Sequence, residues 1–249
     1  MQSIAKRTNP PPDSMLISCP FHKSFPAIQT DIELPEGSIM KCPSCDLAFS
    51  SCSQEQFESA LYDHWSEAVN LDPPSASLQR LKHRRKKELA IAKKLLGKTE
   101  NITLLDVGCR TGTIVSLFDS MGVKAQGIDP AAQPVKLGIQ AGRDLKVGYL
   151  ESAGYEPNSF DIVTMYEVIE HLPSPNTMLS EIEKLLKPGG VLIIGTGNHH
   201  SWTARFKRER WDFYSLRGRG GHLCFYSPSA LAKIAEQFKL SLAVTHSYS

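Results

Sequence analysis

The chain has 249 residues, is 41% hydrophobic and 22% charged, and carries a formal net charge of +2. This is the composition of one large folded domain with room for a small appendage, and its near-neutral balance argues against a general nucleic-acid binder. The longest apolar runs, such as Val191 to Ile194, fall far short of the ~20 residues of a membrane-spanning helix, so no membrane association is expected.

Met1 to Ser14 is polar and holds three consecutive prolines, without the apolar core of a secretory signal, which predicts a cytoplasmic protein. Six cysteines stay reduced there, and close pairs of them read as metal ligands or core residues. Residues 15–55 form a small knuckle. Cys19-Pro20-Phe21-His22 and Cys42-Pro43-Ser44-Cys45 are two pairs with two-residue gaps, each able to put two donors on one tetrahedral ion. A set of Cys19, His22, Cys42 and Cys45 suits structural zinc. A CxxC alone can be redox-active near a helix start; the second pair favours metal, and the competing reading is a knuckle that has lost its ion.

Residues 56–98 read as a helical linker. Leu78, Leu81, Leu89, Ala92 and Leu96 recur at helical steps of three, four or eight. The basic run Arg80, Lys82, His83, Arg84, Arg85, Lys86 and Lys87 is expected on its solvated face, the other reading being a phosphate or nucleic-acid patch.

From 99 to 249 the texture alternates. Ile102 to Val107, Val123 to Ile128, Phe160 to Met165 and Val191 to Thr196 are short apolar runs separated by helical segments. That alternation predicts an α/β fold with a doubly wound, mostly parallel sheet. Asp106-Val107-Gly108-Cys109-Arg110-Thr111-Gly112 is a strand running into a glycine turn and a helix, where backbone approaches a ligand closely. A dinucleotide fingerprint counted from Gly108 requires glycine at 110 and 113, where Arg110 and Thr113 stand, and no Lys-Ser/Thr pair follows Gly112 as in a P-loop. Asp129-Pro130 ends the next strand with a carboxylate able to accept both ribose hydroxyls. Gly148-Tyr149-Leu150-Glu151 can meet a purine edge. Together these describe a nucleoside with a non-phosphate tail.

At these residues the chain resembles the class I S-adenosylmethionine-dependent methyltransferases. Asp106 to Gly112 resembles their first motif, Asp129 their ribose acid, Ser159-Phe160-Asp161 to His171 their fourth-strand motif, and Leu186-Lys187-Pro188-Gly189-Gly190 the turn before strand five. The resemblance implies S-adenosylmethionine as cofactor, with Gly108 and the following loop on its methionine moiety and the carbonyl near Tyr166 on its ammonium. It implies a structural, non-nucleophilic Cys109. Arg110 departs from the family's usual glycine, which implies a stiffer loop or a guanidinium near the cofactor carboxylate. The knuckle, followed by Leu47-Ala48-Phe49 and Tyr62, is similar to a zinc-knuckle extension before some methyltransferases of sugars and other small metabolites; there the second ligand is usually cysteine, so His22 departs and Cys52 is a substitute.

Methyl transfer to a hydroxyl needs alignment and removal of a proton. If Glu167-Val168-Ile169-Glu170-His171 turns helically, Glu167, Glu170 and His171 share one face, fit for a base or a divalent ion. This string resembles the metal site of small-RNA 2′-O-methyltransferases and occurs in ubiquinone-pathway O-methyltransferases; in other relatives the histidine only lines the pocket. His222 is a second base or ligand, with His199 and His200 weaker candidates. Residues 199–226 hold Arg205, Lys207, Arg208, Arg210, Arg217 and Arg219 with Trp202, Trp211, Phe213 and Tyr214 interleaved, which fits an anionic or aromatic acceptor. Ser227-Pro228 reads as the cap of the last helix.

The sequence thus predicts a methyltransferase for a small-molecule acceptor, at an oxygen of a sugar or other anionic or aromatic metabolite. The alternatives are a metal-assisted RNA 2′-O-methyltransferase and an inactive binding or scaffold protein, and oligomeric state is left open. Leu240 to Tyr248 reads as the strand after the last helix, with no residues beyond it for the family's final antiparallel strand; the expectation is a shortened chain or a six-stranded sheet.

Overall fold

The computed structural model describes residues 13–14, 18–24, 26–66, 70–216 and 221–240, with backbone alone at 62–66. The strand read over Leu240 to Tyr248, and Arg217 and Arg219, fall on or run into residues outside that set, as does the side chain of Tyr62. In chain order the elements are β1 (Ile28–Leu34), β2 (Gly37–Lys41), β3 (Ala48–Ser50), α1 (Gln54–Ser66), α2 (Ser75–Leu96), β4 (Thr103–Val107), α3 (Thr113–Asp119), β5 (Lys124–Asp129), α4 (Ala132–Gln140), β6 (Leu145–Val147), β7 (Phe160–Tyr166), α5 (Pro175–Leu185), β8 (Leu186–Gly195), α6 (Trp202–Lys207), β9 (Cys224–Phe225) and α7 (Pro228–Gln237). They form two compact units that interleave in sequence. One, the knuckle unit, takes Met1–Glu67, Ile169–Thr177 and Thr196–Ser249; the other, the parallel-sheet unit, takes Ala68–Val168 and Met178–Gly195.

In the parallel-sheet unit the strand order is β6-β5-β4-β7-β8, every neighbouring pair parallel. The chain winds outward from β4 to β6, then returns to lay β7 and β8 on the other side of β4. This reversal between β4 and β7 leaves a crevice at the carboxyl ends of the strands, where doubly wound sheets bind ligands. Leu104 and Leu105 of β4 and Ile162 and Val163 of β7 are fully buried, as central strands covered on both faces require. Helix α2 buries Leu89 and Ala92 in the cluster that holds Leu104, Val115, Phe118 and Ile162. It stops at Gly97, whose left-handed φ of 62° lets its N–H reach the carbonyls of Lys93 and Lys94.

The knuckle unit carries an antiparallel sheet of order β1-β2-β3-β9. Leu34 pairs with Gly37 across a two-residue turn, and Phe49 of β3 pairs with Cys224 of β9, so the last strand comes from far along the chain. Ile39, Ala48, Trp211, Phe213, Tyr214 and Phe225 pack into its core. Helix α7 begins where expected: the Ser227 hydroxyl accepts the Ala230 N–H at 3.1 Å, and Pro228 occupies the first turn. Among the described residues no helix is long and apolar enough to cross a membrane.

Candidate functional site

The crevice of the parallel-sheet unit is a cleft of about 260 Å³. Its walls come from the end of β4 (Asp106), the loop after it (Gly108, Cys109, Arg110, Thr111), the start of α3, the end of β7 (Tyr166), and Pro73 and Leu81. The loop is wound tightly: Gly108, Arg110 and Gly112 all have positive φ, at 76°, 48° and 78°. A Cβ on Gly108 would stand 2.3 Å from Cγ2 of Val168, and one on Gly112 2.7 Å from Leu145, so neither position has space for a side chain. Arg110 adopts the conformation that glycine takes most cheaply, at a backbone cost of about 1–2 kcal/mol.

Asp129 anchors this loop. Its Oδ2 accepts the Arg110 N–H at 2.9 Å and its Oδ1 the Ala131 N–H at 2.8 Å. Asp106 is buried, receives the Thr164 hydroxyl at 2.7 Å, and burial pushes its carboxyl up to about 7 against the pull of Thr164 and Arg85. Cys109 is buried in the core cluster, and burial raises its thiol far above the ordinary range, so it stays protonated.

Arg85 is not on a solvated face. It is only 6% exposed, with its guanidinium carbon 3.6 Å from the centre of the Tyr166 ring. Tyr166 in turn donates to Glu88 Oε2 at 2.7 Å. Arg85 Nη1 lies 2.8 Å from the same Glu88 oxygen but off the N–H direction, so Nε and Nη1 make no hydrogen bond among the described residues. The Glu88 carboxylate and the Tyr166 ring thus hold this buried guanidinium behind the cleft, whose lining residues do not include it. The signal was present in α2: Arg85 stands midway in the eight-residue step from Leu81 to Leu89, and so on the same stripe.

Of the expected cofactor residues, Asp106, Gly108, Cys109, Arg110 and Tyr166 line the cleft. Gly112 and Asp129 shape its loop. Pro130 follows Asp129 at the end of β5, Leu150 is buried in the short 3-10 turn Leu150–Ser152, and Glu151 on that turn is exposed; these three are not among the lining residues.

The helical turn expected over Glu167 to His171 does not form. Glu167 has a left-handed φ of 53° and donates its N–H to Gly195 at 2.7 Å, and only Ile169–His171 make a 3-10 turn. The i, i+3, i+4 argument for Glu167, Glu170 and His171 on one face therefore fails. What the knuckle unit assembles instead is Glu170, His171 and His222, each offering a ligand atom within 4.8 Å of the others. Glu170 and His222 are buried. Nδ1 of His171 is 3.3 Å from the Gly221 carbonyl, and Nδ1 of His222 is 2.7 Å from that of Phe213. A carbonyl can only accept, so Nδ1 of each ring carries a proton. The ring centroids are 4.6 Å apart.

Trp211, Phe213 and Tyr214 do not present an aromatic surface to an acceptor: they are 8%, 8% and 4% exposed and fill the core of the knuckle unit. Trp202 is exposed, as are Arg205, Lys207, Arg208 and Arg210. Burial brings His199 down to about 3, which makes it a neutral ring at any physiological pH.

In the knuckle, Cys19, His22, Cys42 and Cys45 bring four ligand atoms within 4.8 Å of one another. Sγ of Cys19 is 3.7 Å from that of Cys45; two sulfurs bound at ~2.3 Å to one tetrahedral ion stand about 3.8 Å apart, so the set fits zinc. The turns that aim them are held by Asp46 N–H to Cys42 O and His22 N–H to Cys19 O. The amide of Gln237 lies 2.8 Å from Nε2 of His22. Cys52 is buried and lies outside this set.

A glycine-turned loop at the switch point of a parallel sheet, with a strand-end carboxylate behind it, defines a nucleoside-cofactor α/β protein. Residues 80–243 match the methyltransferase domain family, and the chain belongs to it; it is a class I S-adenosylmethionine-dependent methyltransferase by family. Similar curated proteins are ubiquinone biosynthesis O-methyltransferases. That of Idiomarina loihiensis is 30% identical over 57% of this chain and 65% of its own, and that of Bordetella avium 32% identical over 57% and 64%. The chain thus matches just under two thirds of the length of these relatives. Among solved structures, a SAM-dependent methyltransferase from Thermotoga maritima superposes with a TM-score of 0.50 at 19% identity, over 72% of this chain and 80% of its own, which speaks for the fold.

Proposed function

We propose that the protein transfers a methyl group from S-adenosylmethionine to an oxygen of a small-molecule acceptor, in the cytosol, with a zinc ion on its knuckle. Bound in the cleft, the cofactor supplies an electrophilic methyl on a sulfonium. The chain's own residues do the rest. Gly108 to Gly112 offer backbone to the methionine moiety, and Asp129 takes the ribose hydroxyls while it holds the loop. Leu150 and Glu151 meet the purine.

His171 and His222 act on the acceptor. Nδ1–H of each ring is given to a carbonyl, and a proton taken up at the other ring nitrogen would form an imidazolium stabilised by that same carbonyl. This matched pair of rings is the observation that carries the reading, because proton removal is what an oxygen acceptor needs. The exposed basic residues Arg205, Lys207, Arg208 and Arg210 favour an anionic acceptor. The ubiquinone-pathway relatives support a small molecule.

The convergence of Glu170 with the two histidines favours a second reading, in which these three hold a divalent ion that polarises the acceptor oxygen. One experiment separates the two: methyl transfer from labelled cofactor into a fractionated metabolite extract, run beside total RNA, with and without chelator. Labelling of an anionic metabolite that resists chelator supports general-base transfer. Loss with chelator and rescue by magnesium supports the ion, and labelling of RNA alone overturns the small-molecule reading.

A further inference from the structure

Residues 70–74, just before α2, have no regular structure and none of them is buried. The segment is nevertheless fastened at several points. Nη2 of Arg143 is 2.6 Å from Oδ2 of Asp72, while Nη1 donates to the Leu71 carbonyl at 3.3 Å and to the Thr111 carbonyl at 2.8 Å. The Thr113 hydroxyl donates to Oδ1 of Asp72 at 2.8 Å. The Arg143 side chain is only 8% exposed, so the ion pair is shielded from water on its cationic side, and its hydrogen bond to Asp72 is charge-assisted.

One guanidinium therefore ties a strap, through both its carboxylate and its backbone, to the loop that floors the cleft. The strap adds no buried side chain to the core, so the fastening serves something other than packing. What it fixes is Pro73, which lines the cleft together with Gly108, Arg110 and Thr111. We propose that Asp72 and Arg143 are positioning residues of the cofactor site: their ion pair clamps residues 71–73 so that Pro73 walls the cleft and retards cofactor release. This rests on the reading of the cleft as the S-adenosylmethionine site.

The probe is S-adenosylhomocysteine, measured by calorimetry and by the rate of its displacement from the full chain. In Asp72→Asn, which keeps the side chain's shape and loses its charge, affinity is expected to fall about tenfold, mainly through faster release, with the thermal midpoint nearly unchanged. Asp72→Glu should restore part of the loss. Asp72→Asn combined with Arg143→Gln should be little weaker than either alone, since the two act as a pair. In turnover, KM for the cofactor rises and kcat holds. Equal affinity of wild type and Asp72→Asn, or additive losses in the double variant, overturns the clamp. Failure of the wild type itself to bind the probe overturns the cofactor reading, and the clamp with it.

Discussion

Apart from Tyr166, the polar groups around the cleft of the parallel-sheet unit are nearly consecutive: Asp106, Gly108 to Thr111 and Thr113 sit on one strand end and the loop after it. In the knuckle unit the donors are gathered from distant segments, Cys19 and His22 with Cys42 and Cys45, and Glu170 and His171 with His222. The cleft depends on backbone conformation, three positive φ angles in five residues. The knuckle unit depends on convergent side chains whose orientation is set by a second layer of carbonyls and amides. Substitutions should therefore hurt the cleft where they alter φ and the knuckle unit where they remove a ligand atom.

The largest effect is expected at the zinc set. Structural zinc sites contribute on the order of 10 kcal/mol to local folding. Freshly purified protein should hold one zinc per chain, and Cys42→Ser should lose it along with the protease resistance of residues 18–50. Calorimetry should find S-adenosylhomocysteine affinity preserved; its loss would show that the two units do not fail separately. Next comes His171→Ala, expected to lower kcat by ~10² to 10⁴ with cofactor affinity unchanged, as for loss of a general base. Unchanged turnover would make His171 a wall of the pocket.

In the cleft, Gly108→Ala combines a left-handed φ of 76° with a Cβ 2.3 Å from Val168 Cγ2. Backbone strain of about 1–2 kcal/mol and overpacking of about 1–3 kcal/mol should add, lowering the denaturant midpoint and weakening cofactor binding. Cys109→Ser, which leaves φ alone, should spare binding, and equal damage from both would break the comparison.

The most gradual effect is a pH dependence. Burial raises the Asp106 carboxyl to about 7, so between about pH 4 and pH 7 the folded protein keeps a proton that the unfolded chain has released. Stability should therefore fall as pH rises through that window, by at most ~1.4 kcal/mol per unit, and level off above it. Asp106→Asn should remove that part of the slope in denaturant titrations; an unchanged slope would mean that Asp106 is ionised throughout.

What the sequence makes legible follows the same division. The four apolar runs from Ile102 onward match β4, β5, β7 and β8 to within a few residues except at the start of β8, which also takes in the Lys187-Pro188-Gly189-Gly190 stretch. Period and glycine placement are local signals. The Cys/His cluster was legible because each of its pairs puts two donors on one short turn. Three features escaped. Strand β1 announces itself only by the weak alternation of Thr30, Ile32 and Leu34. Arg85 was hidden by its charge, which outweighed its place on the apolar stripe. The left-handed turn at Glu167 leaves no mark in composition, since glycine is absent there, and without it the string to His171 reads as helix.

The pairing of β3 with β9 has a consequence for how the protein is made. Phe49 leaves the ribosome about 175 residues before its partner Cys224, and at ~5–20 residues per second that is roughly 10 to 35 s of synthesis. Through this interval β3 has an unpaired edge of the kind that recruits other chains. All strands of the parallel sheet, the last ending at Gly195, are translated meanwhile. The nascent chain can thus finish its cofactor-binding half first, while the half that begins at the N-terminus closes last.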